Sequence, residues 1–194
     1  SVGGAYLWLA GFGIAYAGSG MASLEALSNI PAMATLASVL IAIGFMTKTA
    51  TLGIHIWLPG AHAEAESDVS PMVSAILLKA GVFGLVLLAI FMGGEQAAGH
   101  PLFYALGWLG AITALVANLS AVFQEDAKRL LAWSSIGQLG YILFAFAIMT
   151  HVGWLAGFTY TLNHFMYKAV LFLVVGGIVL RLRTHYMHEM GGLI

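Results

Sequence analysis

The stretch Pro71–Met92 reads PMVSAILLKAGVFGLVLLAIFM, and its only charged side chain is that of Lys79. A transmembrane helix needs about 20 consecutive apolar residues, so this stretch is long enough to cross a bilayer. It shows no polar–apolar alternation, and an open sheet would leave unpaired backbone groups in lipid. The stretch therefore predicts a membrane-spanning helix with an amine near its middle.

The composition of the whole chain extends this prediction. Of its 194 residues, 61% are hydrophobic and 8% are charged, whereas soluble domains carry about 25% charged residues. The net charge of −1 argues against nucleic acid as a partner, because phosphate binding requires clustered Lys and Arg. The chain has no cysteine, which excludes disulfides, iron–sulfur clusters and thiol catalysis. We expect no catalytic centre, cofactor or metal ion in this chain.

Six apolar runs predict an all-α, polytopic bundle of about six transmembrane helices. The second and sixth runs are long enough to be tilted or broken. Between Gly53 and Pro59-Gly60 we expect the second run to unwind, because broken helices are tolerated beside a water-filled cavity. The predicted spans are Val2–Gly18, Pro31–Leu58, Pro71–Met92, Leu102–Phe123, Leu130–Thr150 and Val152–Leu180.

Basic residues in the connectors predict the orientation. Alternating spans place the fourth connector and the segment after the sixth span on one side, and these hold Lys128, Arg129, Arg181 and Arg183. The connectors on the opposite side contain Glu25, Glu95 and His151 but no Lys or Arg. Cytoplasmic loops carry an excess of Lys and Arg. We therefore expect an integral protein of a prokaryotic inner membrane, with both ends of this chain in the cytoplasm.

Three lysines, Lys48, Lys79 and Lys168, fall inside predicted spans. Each central lysine costs about 2.5–3.5 kcal/mol on insertion scales, so three cost on the order of 8–10 kcal/mol. All eight acidic residues lie in or beside connectors, so no carboxylate inside a span is there to pair with these amines. A structural ion pair is therefore the weaker interpretation. A proton relay is the stronger one, because an apolar environment disfavours a charged amine and lets it exchange its proton.

Two histidines lie at helical spacing from these lysines. His164 and Lys168 are four residues apart and so share one helix face. His55 follows Lys48 by seven residues, which is two helical turns. We interpret both histidines as members of the relay rather than packing residues. His62 falls in a predicted loop, where we expect it to be solvated.

Four stretches resemble the antiporter-like, proton-conducting membrane subunits. These occur in respiratory complex I (the L, M and N subunits), in Mrp-type sodium/proton antiporters and in membrane-bound hydrogenase or formate hydrogenlyase complexes. The order and spacing of the stretches agree with this family from about residue 30 onward. They are Lys48–His62 (KTATLGIHIWLPGAH), Val73–Gly84 (VSAILLKAGVFG), Asp126–Ser135 (DAKRLLAWSS) followed by Gln138–Tyr141 (QLGY), and His164–Leu173 (HFMYKAVLFL).

The resemblance implies a role for each buried amine. Lys48 corresponds to the proton-channel lysine of the broken helix and Lys79 to the central connecting lysine. His164 and Lys168 continue the relay toward the other half-channel, with His55 as a helper. The family pairs its first lysine with a glutamate from an earlier helix, and no residue here matches that glutamate. A later helix that carries the exit group is also unmatched.

The resemblance also implies a function. We expect residues 1–194 to be one membrane domain, the middle part of a larger antiporter-like subunit, with lipid, protons and other membrane subunits as its partners. The implied function is proton translocation in a complex I-like NADH–quinone oxidoreductase or a membrane hydrogenase, with redox chemistry in partner subunits. An Mrp-type Na⁺/H⁺ antiporter subunit that works without redox chemistry is the alternative. A purely structural bundle is a third interpretation, which lysines facing unrelated directions would favour.

Overall fold

The structure, a computed structural model, describes residues 2–21, 24, 31–65, 69–93 and 99–191. These ranges are almost entirely helical, which confirms the all-α prediction, and their one extended pairing is an isolated bridge between Asp126 and Tyr186. A π segment, Val73–Leu77, joins the fourth helix to the fifth. The helices are α1 (Val2–Ser19), α2 (Pro31–Lys48), α3 (Trp57–Glu64), α4 (Val69–Met72), α5 (Leu78–Phe91), α6 (Pro101–Val122), α7 (Ala127–Ala147) and α8 (His151–Leu182).

Four of the described helical stretches are long and apolar enough to cross a membrane. They are α6, α7, α8 and the continuous stretch Val69–Phe91, which consists of α4, the π segment and α5. Helices α1 and α2, of 18 residues each, occupy the first two predicted spans. The expected polytopic bundle with a broken helix is thus confirmed.

A polar cap fixes where α7 begins. The Asp126 carboxylate accepts the backbone N–H groups of Lys128 and Arg129 at 2.8 and 3.1 Å. Such a cap satisfies donors that the first turn of a helix leaves unpaired. Helix α7 therefore begins at Ala127, three residues before the predicted start at Leu130.

The second predicted span is broken, but its break begins earlier than predicted. Helix α2 ends at Lys48, and the chain is not helical again until α3 begins. Ala50 and Gly53 adopt positive φ angles of 50° and 95°, which a right-handed helix does not contain. The Pro59-Gly60 pair, predicted to lie in the break, belongs instead to the start of α3. Proline is tolerated there because the first helical turn needs no backbone donor.

Small residues allow α6 and α7 to pack closely. A Cβ atom on Gly110 would lie 2.8 Å from the backbone nitrogen of Phe144, and one on Gly140 would lie 2.5 Å from that of Ala114. Neither position can therefore hold a side chain without moving the helices apart. Gly107, one turn earlier on α6, has ordinary van der Waals space.

The segment after α8 folds back onto the α6–α7 turn. The Ala127 N–H donates to the His185 carbonyl at 3.0 Å, and the Met187 N–H donates to the Glu125 carbonyl at 2.9 Å. The two segments thus lie at the same end of the bundle, as alternation of the spans predicts. Four acidic residues assigned to connectors, Glu25, Glu66, Asp68 and Glu95, lie outside the described residues.

Candidate functional site

Lys168 lies in the middle of α8 and is only 2% exposed. Its Nζ atom donates to the backbone carbonyl of Leu131 at 3.0 Å and to the hydroxyl of Ser134, both on α7. A buried amine without acceptors would be strongly destabilising. The two oxygens on α7 therefore make the burial of Lys168 possible.

Lys79 lies on α5, directly after the π segment. Its Nζ atom donates to the backbone carbonyl of Ser74 at 2.6 Å, and Ser74 lies within that segment. A π segment interrupts the regular i to i+4 hydrogen-bond ladder. A carbonyl at this position can therefore accept a side-chain donor, and here it accepts the lysine.

Neutral carbonyl and hydroxyl oxygens, rather than carboxylates, stabilise these two amines. Within the described ranges, the carboxylates that lie within 4 Å of a basic side chain contact histidines, as His185–Asp126 and His188–Glu189, both in the segment at the end of the bundle. A hydrogen bond to a charged group contributes about 1.5–3 kcal/mol, which is similar to the insertion cost of one lysine. Because these acceptors are neutral, they lower that cost without fixing the amine in its charged form.

Two histidines near the lysines are completely buried. His164 lies one turn before Lys168 on α8, and His62 lies on α3 with its ring stacked on Phe172, at a centroid distance of 4.6 Å. Neither nitrogen of either ring has a hydrogen-bond partner among the described residues. Buried polar atoms without partners are costly and uncommon in native proteins. We therefore regard both histidines as candidate members of the functional site.

The prediction that His62 is solvated is wrong. The segment assigned to a loop is helix α3, which turns His62 inward while neighbouring Ala61 and Glu64 stay exposed. The sequence does contain a signal of this burial, because Leu58 and His62 are four residues apart and share the buried face of α3.

Lys48 is the last residue of α2, at the edge of the break. Helix α5 approaches it closely, because a Cβ atom on Gly81 would lie 2.8 Å from the Cβ atom of Lys48. The break itself is held by two side chains: Leu52 N–H donates to the Thr113 hydroxyl at 3.2 Å, and Trp57 Nε1 donates to the Thr47 carbonyl at 3.0 Å.

His55 lies inside the break. Its Nδ1 atom accepts the N–H of Gly53 at 3.2 Å, and its ring centroid is 5.0 Å from that of Trp133. The structure therefore gives His55 a local contact in the turn and a contact with α7. Its relay role, like those of the lysines and His164, stays a prediction.

The structure brings four of these ionisable side chains into one cluster. His164 lies one turn before Lys168 on α8, and His62 stacks on Phe172, one turn after Lys168. Lys79 binds Ser74, whose hydroxyl contacts Ser135 of α7, one turn from the Leu131 carbonyl that binds Lys168. We call Lys79, His164, Lys168 and His62 the amine–imidazole cluster. Its members come from α3, α5 and α8, so the lysines of this cluster do not face unrelated directions.

Lys128, which lies in a predicted connector, is a further buried lysine. It is 8% exposed, and its Nζ atom donates to the Ala65 carbonyl at 2.9 Å, just beyond the end of α3. Cations are favoured at helix C-termini by the unpaired carbonyls and the helix dipole. No local pattern marks this contact, because the two partners are 63 residues apart in the chain.

We expect Lys128→Met to destabilise the subunit, because it removes the cation that ties α7 to α3. The free energy of unfolding should fall by about 1.5–3 kcal/mol, the contribution of a hydrogen bond to a charged group. Arg129→Met is the matched control, because Arg129 is adjacent and exposed. Thermal unfolding of the full-length subunit in detergent measures both variants, and equal melting temperatures would contradict the assigned contact.

Together the bundle and the cluster define a class: an integral membrane protein with amines buried between its helices and stabilised by neutral oxygens. The chain matches one protein family over residues 1–194, described as NADH:quinone oxidoreductase/Mrp antiporter, transmembrane region. It belongs to that family, and the resemblance seen in the sequence is confirmed.

Known proteins resemble this chain in sequence and in structure. It is 37% identical over 185 residues to hydrogenase-4 component B of Escherichia coli (strain K12), covering 89% of this chain and 27% of that protein. It resembles a chain of the membrane-bound sulfane sulfur reductase (MBS), an archaeal respiratory membrane complex, with 33% identity, a TM-score of 0.85, and coverage of 93% and 32%. It also resembles a chain of the Mrp complex from Dietzia sp. DQ12-45-1b, with 26% identity, a TM-score of 0.82, and coverage of 91% and 33%. The chain spans about a third or less of the length of these relatives.

Proposed function

We propose that this chain is the proton-conducting part of an antiporter-like subunit. Lys48, Lys79, His164 and Lys168 form the relay, and His55 assists at the break. The observation that carries the proposal is the acceptor set of Lys79 and Lys168, which consists of carbonyl and hydroxyl oxygens. An amine held by neutral acceptors can lose its proton without leaving an unpaired carboxylate behind.

His62 is a further member of the proposed relay. It lies in the amine–imidazole cluster, where its ring stacks on Phe172 of α8, and the Lys128 amine binds Ala65 at the end of α3, the helix that carries His62. Both nitrogens of the His62 ring lack hydrogen-bond partners among the described residues, so they are available to accept or donate a proton. His62 therefore extends the cluster toward the end of the bundle where α3 meets α7.

The free energy of the hydrogen bonds to these amines is comparable to the work of moving one proton across the membrane. Moving one proton against ~150 mV requires roughly 3.5 kcal/mol, from about 2.3 kcal/mol per 100 mV. A hydrogen bond to a charged group contributes about 1.5–3 kcal/mol. Exchanging the two acceptors of Lys168 therefore changes its energy by an amount comparable to the work of one transported proton.

Redox chemistry is assigned to partner subunits. The family includes NADH:quinone oxidoreductase subunits, and the MBS relative belongs to a respiratory membrane complex. We propose that this subunit contacts other membrane subunits and carries no cofactor of its own. It moves protons while those partner subunits carry out their redox reaction. Transport of Na⁺ by an Mrp-type subunit without redox chemistry remains the competing function, and of the two solved structures the Mrp chain is the less similar.

The proposed location is a prokaryotic inner membrane, with both ends of this chain in the cytoplasm. Three basic residues support this orientation, because Arg129, Arg181 and Arg183 are exposed at the end of the bundle where α7 begins and α8 ends. Positive residues of that kind favour the cytoplasmic side. Lys128 does not contribute in the same way, since its ammonium group is bound to Ala65.

Proton uptake by vesicles that contain the full-length subunit in its native complex tests the function. NADH and dihydrogen are supplied in turn as electron donors, in buffers with and without Na⁺, and a protonophore provides the zero-gradient control. We expect uptake that requires an electron donor and does not require Na⁺. Sodium-dependent proton movement without any donor would contradict the proposal and support the competing antiporter.

A further inference from the structure

A pair of serine hydroxyls lies between the two lysines of the amine–imidazole cluster. The Oγ atoms of Ser74 and Ser135 are 3.2 Å apart, and both residues are fully buried. Ser74 also supplies the carbonyl that binds Lys79. Ser135 donates to the Leu131 carbonyl at 2.8 Å, and the same oxygen accepts the Lys168 amine at 3.0 Å. The hydroxyl pair is thus joined to Lys79 through the Ser74 backbone and to Lys168 through the shared Leu131 carbonyl.

The number of protons that each hydroxyl can donate fixes which serine is the donor in this pair. A serine hydroxyl has one proton to donate, and that of Ser135 is directed to the Leu131 carbonyl. In the hydroxyl pair, Ser74 must then be the donor and Ser135 the acceptor. The hydroxyl protons therefore point away from Lys79 and toward the side of Lys168.

We propose that Ser74 and Ser135 are relay residues that carry a proton between Lys79 and Lys168. This inference rests on the proposed function. The Lys79 ammonium turns from the Ser74 carbonyl to the Ser74 hydroxyl and transfers a proton to it. The original Ser74 proton passes to Ser135, whose own proton passes to the lone pair of the neutral Lys168 amine. One N–H bond breaks at Lys79, one forms at Lys168, and both hydroxyls keep one proton.

The two hydrogen-bond acceptors of Lys168 are compatible with its role as the residue that receives the proton. A neutral amine has two N–H bonds and one lone pair. In the structure the amine donates to two oxygens, those of Leu131 and Ser134. Both contacts can persist in the neutral form. In the proposed step the remaining lone pair accepts the proton of the Ser135 hydroxyl, which is bonded to the same Leu131 oxygen.

The π segment gives Ser74 its double role. Ser74 lies in Val73–Leu77, where its carbonyl contacts Lys79 and its hydroxyl contacts α7. Segments of this kind are frequent at functional sites because they redirect backbone groups. Lys79 thus has a carbonyl at which its ammonium can rest and, on the same residue, a hydroxyl to which it can transfer a proton.

Alanine substitutions of the two serines test the proposal in the complete complex in vesicles. Ser74→Ala and Ser135→Ala should each slow proton uptake roughly 100-fold, the lower end of the contribution of a positioned proton-transfer group. The double variant should be no slower than the slower single variant, because both serines act in one path. Ser135→Thr, which keeps the hydroxyl, should restore most of the rate. Ser38→Ala is the control, because Ser38 is as deeply buried but lies on α2.

The outcomes separate this inference from the proposed function. Wild-type uptake in both alanine variants, together with loss of uptake in Lys79→Met, would overturn the serine relay and leave the proposed function standing. Slow uptake in Ser135→Ala without rescue by threonine would also overturn it, since the effect would then be one of packing. Wild-type uptake in Lys79→Met would contradict the proposed function itself.

Discussion

Replacing Lys168 by methionine should stop proton uptake while leaving the subunit folded. Methionine has nearly the length of the lysine side chain, and the acceptors of Lys168 on α7 are a carbonyl and a hydroxyl rather than a carboxylate. Removal of the amine therefore leaves no buried charge without a partner, and replacement of a buried charge by an apolar group is often neutral or stabilising. We expect a loss of roughly 100-fold or more in the rate of uptake, as for a positioned proton-transfer group.

Proton uptake and thermal unfolding of the same vesicle-reconstituted complex provide the two readouts. Arg181→Met is the matched control, because it also replaces a positive charge by methionine, at an exposed position near the end of the same helix. A different outcome would make Lys168 a structural residue and remove it from the relay. In that outcome Lys168→Met lowers the melting temperature of the subunit, but the folded variant still takes up protons at the wild-type rate.

Replacing Lys79 by arginine should also block uptake, although it preserves the positive charge. A guanidinium group stays protonated in proteins, whereas a lysine amine can release its proton. Lys79 is only half-buried in this chain and donates to one carbonyl, so the longer side chain has room. We expect a reduction of roughly 100-fold, similar to that of a lost proton-transfer group.

The arginine variant distinguishes a fixed charge from a charge that cycles. Lys79→Met serves as its companion, since it removes both the charge and the proton. If arginine supported uptake while methionine did not, Lys79 would act as a permanent positive charge and not as a carrier. Uptake driven by the same electron donor, normalised to the rate of electron transfer, gives the comparison.

Periodicity and composition predicted the helices well, because a bilayer admits long apolar helices and little else. The break was harder to place, since the Pro59-Gly60 pair is a common signal for unwinding. The actual break begins directly after Lys48, where contacts with Thr113 and Trp57 replace helical hydrogen bonds. Such distant contacts leave no local trace in the sequence.

The site was predicted in part. Spacing alone placed His164 and Lys168 on one face of α8, and both are buried there. The acceptors of the lysines could not be predicted, because a backbone carbonyl such as that of Leu131 or Ser74 has no signature in the sequence. For the same reason, the burial of Lys128 against Ala65 became visible only in the structure.

We propose that the amines of Lys79 and Lys168 gain and lose protons as the subunit works. Solid-state nitrogen-15 NMR of the complex labelled on its lysine side chains tests it most directly, because neutral amines and ammonium groups have different chemical shifts. Signals assigned to Lys79 and Lys168 by their absence in the methionine variants should appear in both forms across the pH range of proton uptake. Two signals that remained in the ammonium form throughout that range would contradict the account.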